Sequence, residues 1–455
     1  MSNRYPPRAP QNPSAWSASL LSQGIGFLIP LIIGVYWPTF SVNQGLAASI
    51  LRPGVLGFSL LLAIMWSGVR ITWAETHLLR ILAAVCVVVL IPTLTATIVS
   101  RALSDWTKLV ALSLIALLLC RGLRHPPTAR AFGLSLIVAA LLSVGLILYV
   151  YERELGMTMP TYTAVRVLKG LAQRGGAPLN AIAFTAVFAY TCGMCLLPGG
   201  RLLWALGFGV FVVSFALTGS RAPLGIAAGS VVVLLIFNAA ISRHLIFRVL
   251  AWLGVALLAV ALVVGFRSLT TKQLSDFTEG RWDLWSVAWQ KFTERPITGY
   301  GYESWQDDLS SRVPGDYQMT GLLSNFAGGY HNEYLTLLSE QGIVGFLAGT
   351  SFCFFLLRRS SQLAFRKSTS WHNGQWAFFG CLFLLFRAAV ESPGLFGYGQ
   401  DPADFLAFVF VGIVLSRFSV EEEHLRRLRE VARLEDELEY SASLYCDVVV
   451  SRGMS

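Results

Sequence analysis

Charged residues are scarce in this chain of 455 residues: Asp, Glu, Lys and Arg make up 13% of it, whereas 55% is hydrophobic. Soluble domains usually carry about 25% charged residues, so this chain has about half the charge that a water-facing surface needs. The shortage excludes an ordinary soluble protein. Apolar runs such as residues 82–90 also lack the apolar–polar alternation of a transmembrane β-barrel. The composition therefore predicts an all-α, polytopic membrane protein.

The long polar segments contain no cysteine, because six of the seven cysteines lie in or next to apolar segments and one lies in the polar tail. This distribution gives no sign of a disulfide framework. No signal-peptide cleavage site follows the first apolar segment, so we expect that segment to remain as a transmembrane helix.

Apolar windows predict about twelve transmembrane helices, because a spanning helix needs about 20 apolar residues. The predicted spans lie at about 20–38, 53–69, 79–99, 105–120, 130–150, 179–198, 202–218, 222–240, 246–266, 340–357, 375–391 and 403–418. The expected organisation is helices one to nine in 1–266 with a smaller loop at about 151–178, a large helix-containing loop at 267–339, helices ten to twelve in 340–418, and an amphipathic tail at 419–455.

Positive residues set the predicted orientation, because short cytoplasmic loops carry an excess of Lys and Arg. With the N-terminus inside, the five inner connections carry twelve positive residues and the short outer connections carry five. Both termini and the tail are then cytoplasmic, and both long loops lie on the outer face.

The two long loops carry ten positive residues between them, although they are expected to face outward. An anionic ligand on that face would account for these charges, and Arg166, Lys169 and Arg174 in the smaller loop are candidates to bind it. The acidic residues interspersed among them are equally typical of an ordinary solvated surface, so both interpretations stay open.

Three tryptophans at helical spacing, Trp282, Trp285 and Trp289, predict an amphipathic helix at the start of the large loop. An indole face suits the lipid–water interface, where tryptophan is enriched, and it can also stack on sugars. Pro296 is expected to end this helix, and Gly299 and Gly301 permit a tight turn after it.

His331 is the one histidine of six that this topology puts on the outer face. It follows a pair of glycines and stands at the predicted start of the helix that enters span ten. An imidazole is a natural general base for a hydroxyl nucleophile. The alternative is that the residue only caps that helix.

His331-Asn332-x-x-Leu335, followed by six residues and Gly342, matches a pattern of the O-antigen ligase and polymerase family. Three further elements resemble the same family, namely Arg281-Trp282, Pro296-x-x-Gly299-x-Gly301 and Gly219-Ser220-Arg221. The plan of about twelve spans, with one large loop before the last three, also resembles it. The sequence therefore resembles an O-antigen ligase.

The resemblance implies an inverting, metal-independent glycosyltransferase of lipopolysaccharide biosynthesis in the bacterial inner membrane. Its donor would be an undecaprenyl-diphosphate-linked glycan and its acceptor a sugar hydroxyl of lipid A-core, joined in the periplasmic loop. The implied catalytic residues are His331 as base, with Arg221 and Arg281 holding the diphosphate. Tyr330, Asn332 and Trp282 are further candidates for substrate binding, beside the three cations of the smaller loop.

Other functions remain open at the sequence level. The same motifs fit an O-antigen polymerase or a protein O-oligosaccharide ligase, and a polysaccharide or lipid transporter is the rival from another class. A transporter should bury charges within several spans, whereas here the chemically capable residues cluster in one loop. Membrane lipids are expected partners, and we expect no nucleic acid or cofactor. We also expect no metal, because a metal-dependent transferase would need clustered carboxylates and Asp307-Asp308 is the one adjacent carboxylate pair on the outer face.

The topology predicts that cysteines introduced at Ser275 or Ser311 react with a membrane-impermeant thiol reagent added outside the inner membrane. These residues belong to loop 267–339, which the count of positive residues assigns to the periplasm. If both positions were labelled only after the inner membrane had been opened, the orientation would be the reverse of the predicted one.

Overall fold

The computed structural model describes residues 73–155, 179–197, 201–218, 229–230, 232–233, 281–301, 304, 330–365, 371–389 and 402–452. Within these ranges the secondary structure is helical and no β-strand occurs, which agrees with the all-α prediction. The spans predicted at 20–38, 53–69 and 246–266 lie outside the described residues, as does almost all of 222–240.

Nine helices account for most of the described residues. They are α1 Trp73–Leu94, α2 Val99–Gly122, α3 Pro126–Leu155, α4 Leu179–Leu196, α5 Arg201–Thr218, α6 Arg281–Glu294, α7 Glu333–Phe365, α8 Trp371–Ala388 and α9 Pro402–Arg452. Eight of them coincide with predicted spans, and α6 is the predicted tryptophan helix. The fourth span, expected to be short, is a helix of 24 residues.

Four of the described helices are long and apolar enough to cross a membrane: Thr76–Leu94, Ala102–Gly122, Pro126–Gly145 and Glu333–Phe365. A fifth apolar helix, Ala183–Leu196, is shorter. These helices are consistent with an all-α membrane protein, and the total of twelve spans stays a prediction.

Small residues let the helices approach closely, as is common where helices pack in a bilayer. A Cβ atom on Gly193 of α4 would lie 2.8 Å from the carbonyl oxygen of Gly133 on α3. Likewise, a Cβ atom on Gly412 of α9 would lie 2.8 Å from the carbonyl oxygen of Ala116 on α2. Stacked aromatic rings fill the space between α4, α8 and α9, namely Phe184, Phe188, Phe383 and Phe410.

The two ends of the bundle are distinguished by the contacts made just before and just after α2. Thr97, just before α2, donates its backbone N–H to the carbonyl of Tyr300 at 3.1 Å. Arg124, just after α2, forms an ion pair with Glu423 at 3.0 Å. We call these the loop end and the tail end. The 24 residues of α2 separate them by about 36 Å.

At the tail end, Arg417 of α9 binds the last carbonyls of α4, with Nε donating to Cys195 at 3.1 Å and a terminal nitrogen donating to Leu196 at 2.6 Å. Glu423 also pairs with Arg427 at 2.6 Å. The hydrogen bond from Arg427, followed by the one from Arg124, lowers the pKa of the Glu423 carboxyl below its ordinary value. These contacts fix the start of the tail to the bundle.

The amphipathic tail is not a separate helix, because α9 runs without a break from the last predicted span to Arg452. A helix of 51 residues is about 77 Å long. Its first part is buried in the bundle, whereas the apolar side chains beyond the tail end are exposed, including Leu428, Val431, Leu434 and Leu438.

Candidate active site

Helix α6 carries Arg281 at its first position and packs one face against the bundle. Leu284, Val287 and Ala288 are buried on that face. The indole of Trp282 remains exposed and meets Trp285 edge to face, with the ring centroids 6.3 Å apart. The predicted amphipathic helix is therefore present, with its cation and an exposed indole at the N-terminal turn.

After α6 the chain turns back, and two cations, Lys291 and Arg295, contact the ring of Tyr300 at this turn. Lys291 is completely buried and donates to the carbonyl of Ser304 at 2.8 Å. Its ammonium lies 5.0 Å from the centroid of the Tyr300 ring, and the guanidinium of Arg295 lies 4.6 Å from the same centroid. The Tyr300 hydroxyl donates to Glu294. These contacts fix the segment 296–301, which we call the docking segment, against α6.

The docking segment exchanges backbone hydrogen bonds with helix α7. In a regular helix the N–H groups of Ile343 and Val344 would bind the carbonyls of Ser339 and Glu340. Here those N–H groups donate to the carbonyls of residues 296 and 297 at 2.8 and 3.3 Å. The carbonyls of Ser339 and Glu340 instead accept from the N–H groups of residues 300 and 301 at 3.2 and 2.7 Å. The loop thus pairs with an opened turn of the helix.

Three glycines make this pairing possible. Gly342 has φ 63° and ψ −165°, a combination that is essentially restricted to glycine, and it opens the turn of α7. A Cβ atom on Gly342 would overlap the carbonyl of Ile297, and one on Gly299 would overlap the backbone of Glu340. A Cβ atom on Gly301 would overlap Ala96, between α1 and α2. The glycine spacing therefore reflects close backbone approach at the loop end.

His331 precedes helix α7 in a left-handed conformation with φ 48°, and it is the only described non-glycine residue with positive φ. This region costs an ordinary residue about 1–2 kcal/mol, although histidine tolerates it better than most residues. Strain of this kind tends to occur at functional sites, where the surrounding structure enforces it. The His331 side chain is partly exposed.

The residues on both sides of His331 are anchored. The carbonyl of Tyr330 accepts a hydrogen bond from the indole Nε1 of Trp285 at 3.0 Å, and the Tyr330 side chain is buried. The Asn332 side chain accepts from the N–H of Leu335 at 3.0 Å and donates to the carbonyl of Ala389 at 2.9 Å. Asn332 is therefore the N-cap of α7 and also fastens it to the end of α8.

The cap assignment corrects the alternative considered for His331. Asn332, and not His331, satisfies the exposed N–H group at the first turn of α7. His331 lies outside the helix, beside α6, because Trp285 reaches the preceding peptide. Arg281 stands one helical turn before Trp285 and so shares that face of α6. The structure brings the proposed base and one proposed cation to the same region.

Residues 206–348 match the family model described as O-antigen ligase. The resemblance to the O-antigen ligase and polymerase superfamily is confirmed. The match covers about a third of the chain and includes α6, the docking segment, His331 and the Gly342 turn. No curated protein matched the chain. The superfamily is a class of enzymes that transfer glycosyl groups.

Five of the predicted site residues lie within the described ranges: Arg281, Trp282, Tyr330, His331 and Asn332. Arg166, Lys169, Arg174 and Arg221 lie outside them. Trp282 is exposed and His331 is partly exposed. The Tyr330 side chain is buried, and both the nitrogen and the oxygen of the Asn332 amide are hydrogen bonded within the protein.

Sequence reasoning missed two features of the segment that matches the family model. It assigned no hydrogen bond to Trp285, which pairs with a residue 45 positions away. It also missed the cap, although asparagine is a preferred N-cap residue and Glu333 follows it in the first turn. The Asn332 cap could have been predicted from the sequence. The hydrogen bond from the Trp285 indole to the Tyr330 carbonyl could not, because it depends on the tertiary structure.

Within the described ranges, no cluster of three His, Cys, Asp or Glu side chains that could hold a metal ion occurs. Asp307 and Asp308 lie outside those ranges. Arg281, Lys291 and Arg295 are cations of α6 and of the turn that follows it. Arg387 of α8 is buried, with its guanidinium 3.9 Å from the centroid of the Phe184 ring.

Gly342→Ala should destabilise the protein by more than about 2 kcal/mol, because a side chain cannot adopt the backbone angles of this position and would overlap the Ile297 carbonyl. The measurement is the yield and thermal unfolding of the purified protein in detergent. Gly145→Ala is the matched control, since a Cβ atom at Gly145 of α3 has no neighbour within 4 Å. Equal stability of the two variants would contradict the tight backbone pairing.

Proposed function

We propose that the protein transfers a glycan from undecaprenyl diphosphate to a sugar hydroxyl of lipid A-core at the periplasmic face of the inner membrane. The acceptor oxygen attacks the anomeric carbon, and the bond from that carbon to the diphosphate oxygen breaks. The acceptor proton passes to His331, and undecaprenyl diphosphate leaves. The observation that carries the proposal is that His331 is held in a left-handed conformation beside α6, within the O-antigen ligase match.

His331 is the proposed general base. Its side chain is partly exposed, so an acceptor hydroxyl can reach it. The peptide before it accepts a hydrogen bond from Trp285 of α6, and the side chain of the next residue, Asn332, donates to the carbonyl of Ala389 just after α8. A base is most effective when it is held in a productive geometry. Attack from the face opposite the leaving group inverts the anomeric carbon.

Arginines are the proposed partners of the diphosphate, because a guanidinium binds phosphate oxygens through two parallel hydrogen bonds. Negative charge grows on the leaving diphosphate, and fixed cations stabilise that charge. Arg281 has a suitable position at the start of α6 beside the His331 peptide. We assign the same role to Arg221 and propose Arg166, Lys169 and Arg174 as further contacts of the diphosphate or glycan. No step of the proposed mechanism requires a metal ion.

Glycan contacts are best assigned to Trp282, whose indole is 37% exposed next to Arg281. An exposed indole face can stack on a sugar ring. We propose Tyr330 and Asn332 as substrate-binding residues through their backbone, since their side chains are engaged in the protein as described above. The site lies at the loop end, at the opposite end of α2 from the cytoplasmic tail, which suits a periplasmic reaction.

A transfer assay with purified protein tests the proposal. Undecaprenyl-diphosphate-linked glycan and lipid A-core are supplied together in detergent or proteoliposomes, without ATP and with a chelator. The expected product is glycan-bearing lipid A-core. If the glycan is instead joined to a second lipid-linked glycan or to a protein, the chain is an O-antigen polymerase or a protein ligase. Movement of intact substrate across a vesicle without transfer indicates a transporter.

Arg281→Ala and Arg221→Ala should each lower transfer by about 10²–10³-fold, the usual effect of removing one stabilising donor. Both variants should still accumulate in the membrane. For Arg281 the reason is that the residue is half-exposed, and such cations contribute little to stability. Arg221→Lys should recover only part of the activity, since an ammonium lacks the planar fork.

The arginine assay needs a control for surface charge. Arg426→Ala removes an exposed arginine of α9 at the tail end and should leave transfer unchanged. Near-wild-type transfer by Arg221→Ala or Arg281→Ala would remove that residue from the mechanism.

His331→Ala should lower turnover by about 10²–10⁴-fold, the usual contribution of a general base. His331→Asn is the sharper variant, because asparagine tolerates positive φ and should preserve the backbone, yet it cannot accept the proton.

Donor binding should change little in either His331 variant, because the diphosphate is assigned to arginines. His125→Asn, in the exposed turn between α2 and α3, is the matched control and should behave like the wild type. Full transfer activity in His331→Asn would end the assignment of a general base.

A further inference from the structure

We infer that Trp285 is a positioning residue for His331, acting through the hydrogen bond from its indole to the Tyr330 carbonyl. The inference rests on the proposed function, in which His331 accepts the acceptor proton. Trp285 itself contacts neither the anomeric carbon nor the diphosphate in this account. Its role is to fix the peptide on which the base depends.

The bond is placed directly before the base. Indole Nε1 of Trp285 lies 3.0 Å from the carbonyl oxygen of Tyr330, and that carbonyl belongs to the peptide group that also contains the His331 nitrogen. The ring of Trp285 is partly buried in α6 and in contact with Trp282, so the donor itself has little freedom. The buried side chain of Tyr330 holds the same peptide from its other side.

His331 needs such an anchor because its φ of 48° is unfavourable for a residue with a side chain. On the C-terminal side, the Asn332 side chain holds the chain by capping α7 and by binding Ala389. Because the Tyr330 carbonyl and the Asn332 side chain are both hydrogen bonded, the chain is held on either side of His331, which favours one direction of its Cα–Cβ bond. Releasing the Tyr330 carbonyl lets the residue return to an ordinary conformation, which turns the imidazole.

The same bond also sets the register between base and cation. Trp285 and Arg281 share one face of α6, one turn apart. The indole therefore fixes the distance from the helix that carries Arg281 to the loop that carries His331. Loss of the bond should affect the chemical step, which needs both groups together, more than donor binding, which needs the cations alone.

Trp285→Phe removes the indole N–H and keeps an aromatic ring. Trp106→Phe is the matched control, because Nε1 of Trp106 makes the same kind of bond, at 2.7 Å to the Cys86 carbonyl, between α1 and α2. Two readouts are compared for both variants in the full-length protein. One is kcat and KM for the lipid-linked donor, and the other is hydrogen exchange of the peptide that contains residues 330–336.

Trp285→Phe should lower kcat by about 10–10²-fold, as a small misplacement of a reacting group does, with KM for the donor within about twofold of the wild-type value. Exchange of the 330–336 peptide should become faster in Trp285→Phe and stay unchanged in Trp106→Phe. Unchanged exchange in Trp285→Phe, or equal loss of kcat in both variants, overturns the inference. If the wild type transfers no glycan, the proposed function fails, and the exchange comparison alone decides whether Trp285 holds the His331 peptide.

Discussion

The exchange of backbone hydrogen bonds at the opened turn of α7 is the interaction on which the loop end depends. Two hydrogen bonds that a regular helix would form within itself are replaced by four between α7 and the docking segment. The cost of opening a helix is thereby offset within the same few residues. The docking segment also contacts the turn between α1 and α2 through Thr97 and Ala96. At this point the polar loop is joined to a bundle of apolar helices mainly by backbone groups.

This arrangement brings the candidate site residues together from distant segments. Arg281 and His331 are 50 positions apart in the chain, but α6 is held by the docking segment, and its Trp285 side chain reaches the peptide before His331. The strained backbone at His331 persists because Trp285 and Asn332 fix both of its neighbours. In the proposed mechanism, the loop supplies the cation and the base, and the bundle supplies the surface that holds them in register.

Much of this could be predicted from the sequence, because hydropathy and helical periodicity are local signals. Eight predicted spans correspond to described helices, and the tryptophan spacing located α6. The motif of glycines at 299, 301 and 342 was recognised as a pattern, but its physical reason, close backbone approach, requires the tertiary structure. A helix cap was considered only as the alternative role of His331, whereas the side chain of Asn332 forms the cap. The unbroken α9 was missed because its apolar and amphipathic parts have different periodicities.

The most direct test of this account asks whether the docking segment stays on α7 during turnover. Ile297 and Ile343 are both exposed beside the exchanged hydrogen bonds, so Ile297→Cys and Ile343→Cys can be combined and joined by a short thiol cross-linker. The two variants that each carry only one of these added cysteines control for cross-linking through the seven native thiols. The account predicts efficient cross-linking and transfer activity that is the same before and after the link is cleaved. A cross-linked protein that is inactive and recovers on cleavage would show that the segment must leave α7, and would contradict the account.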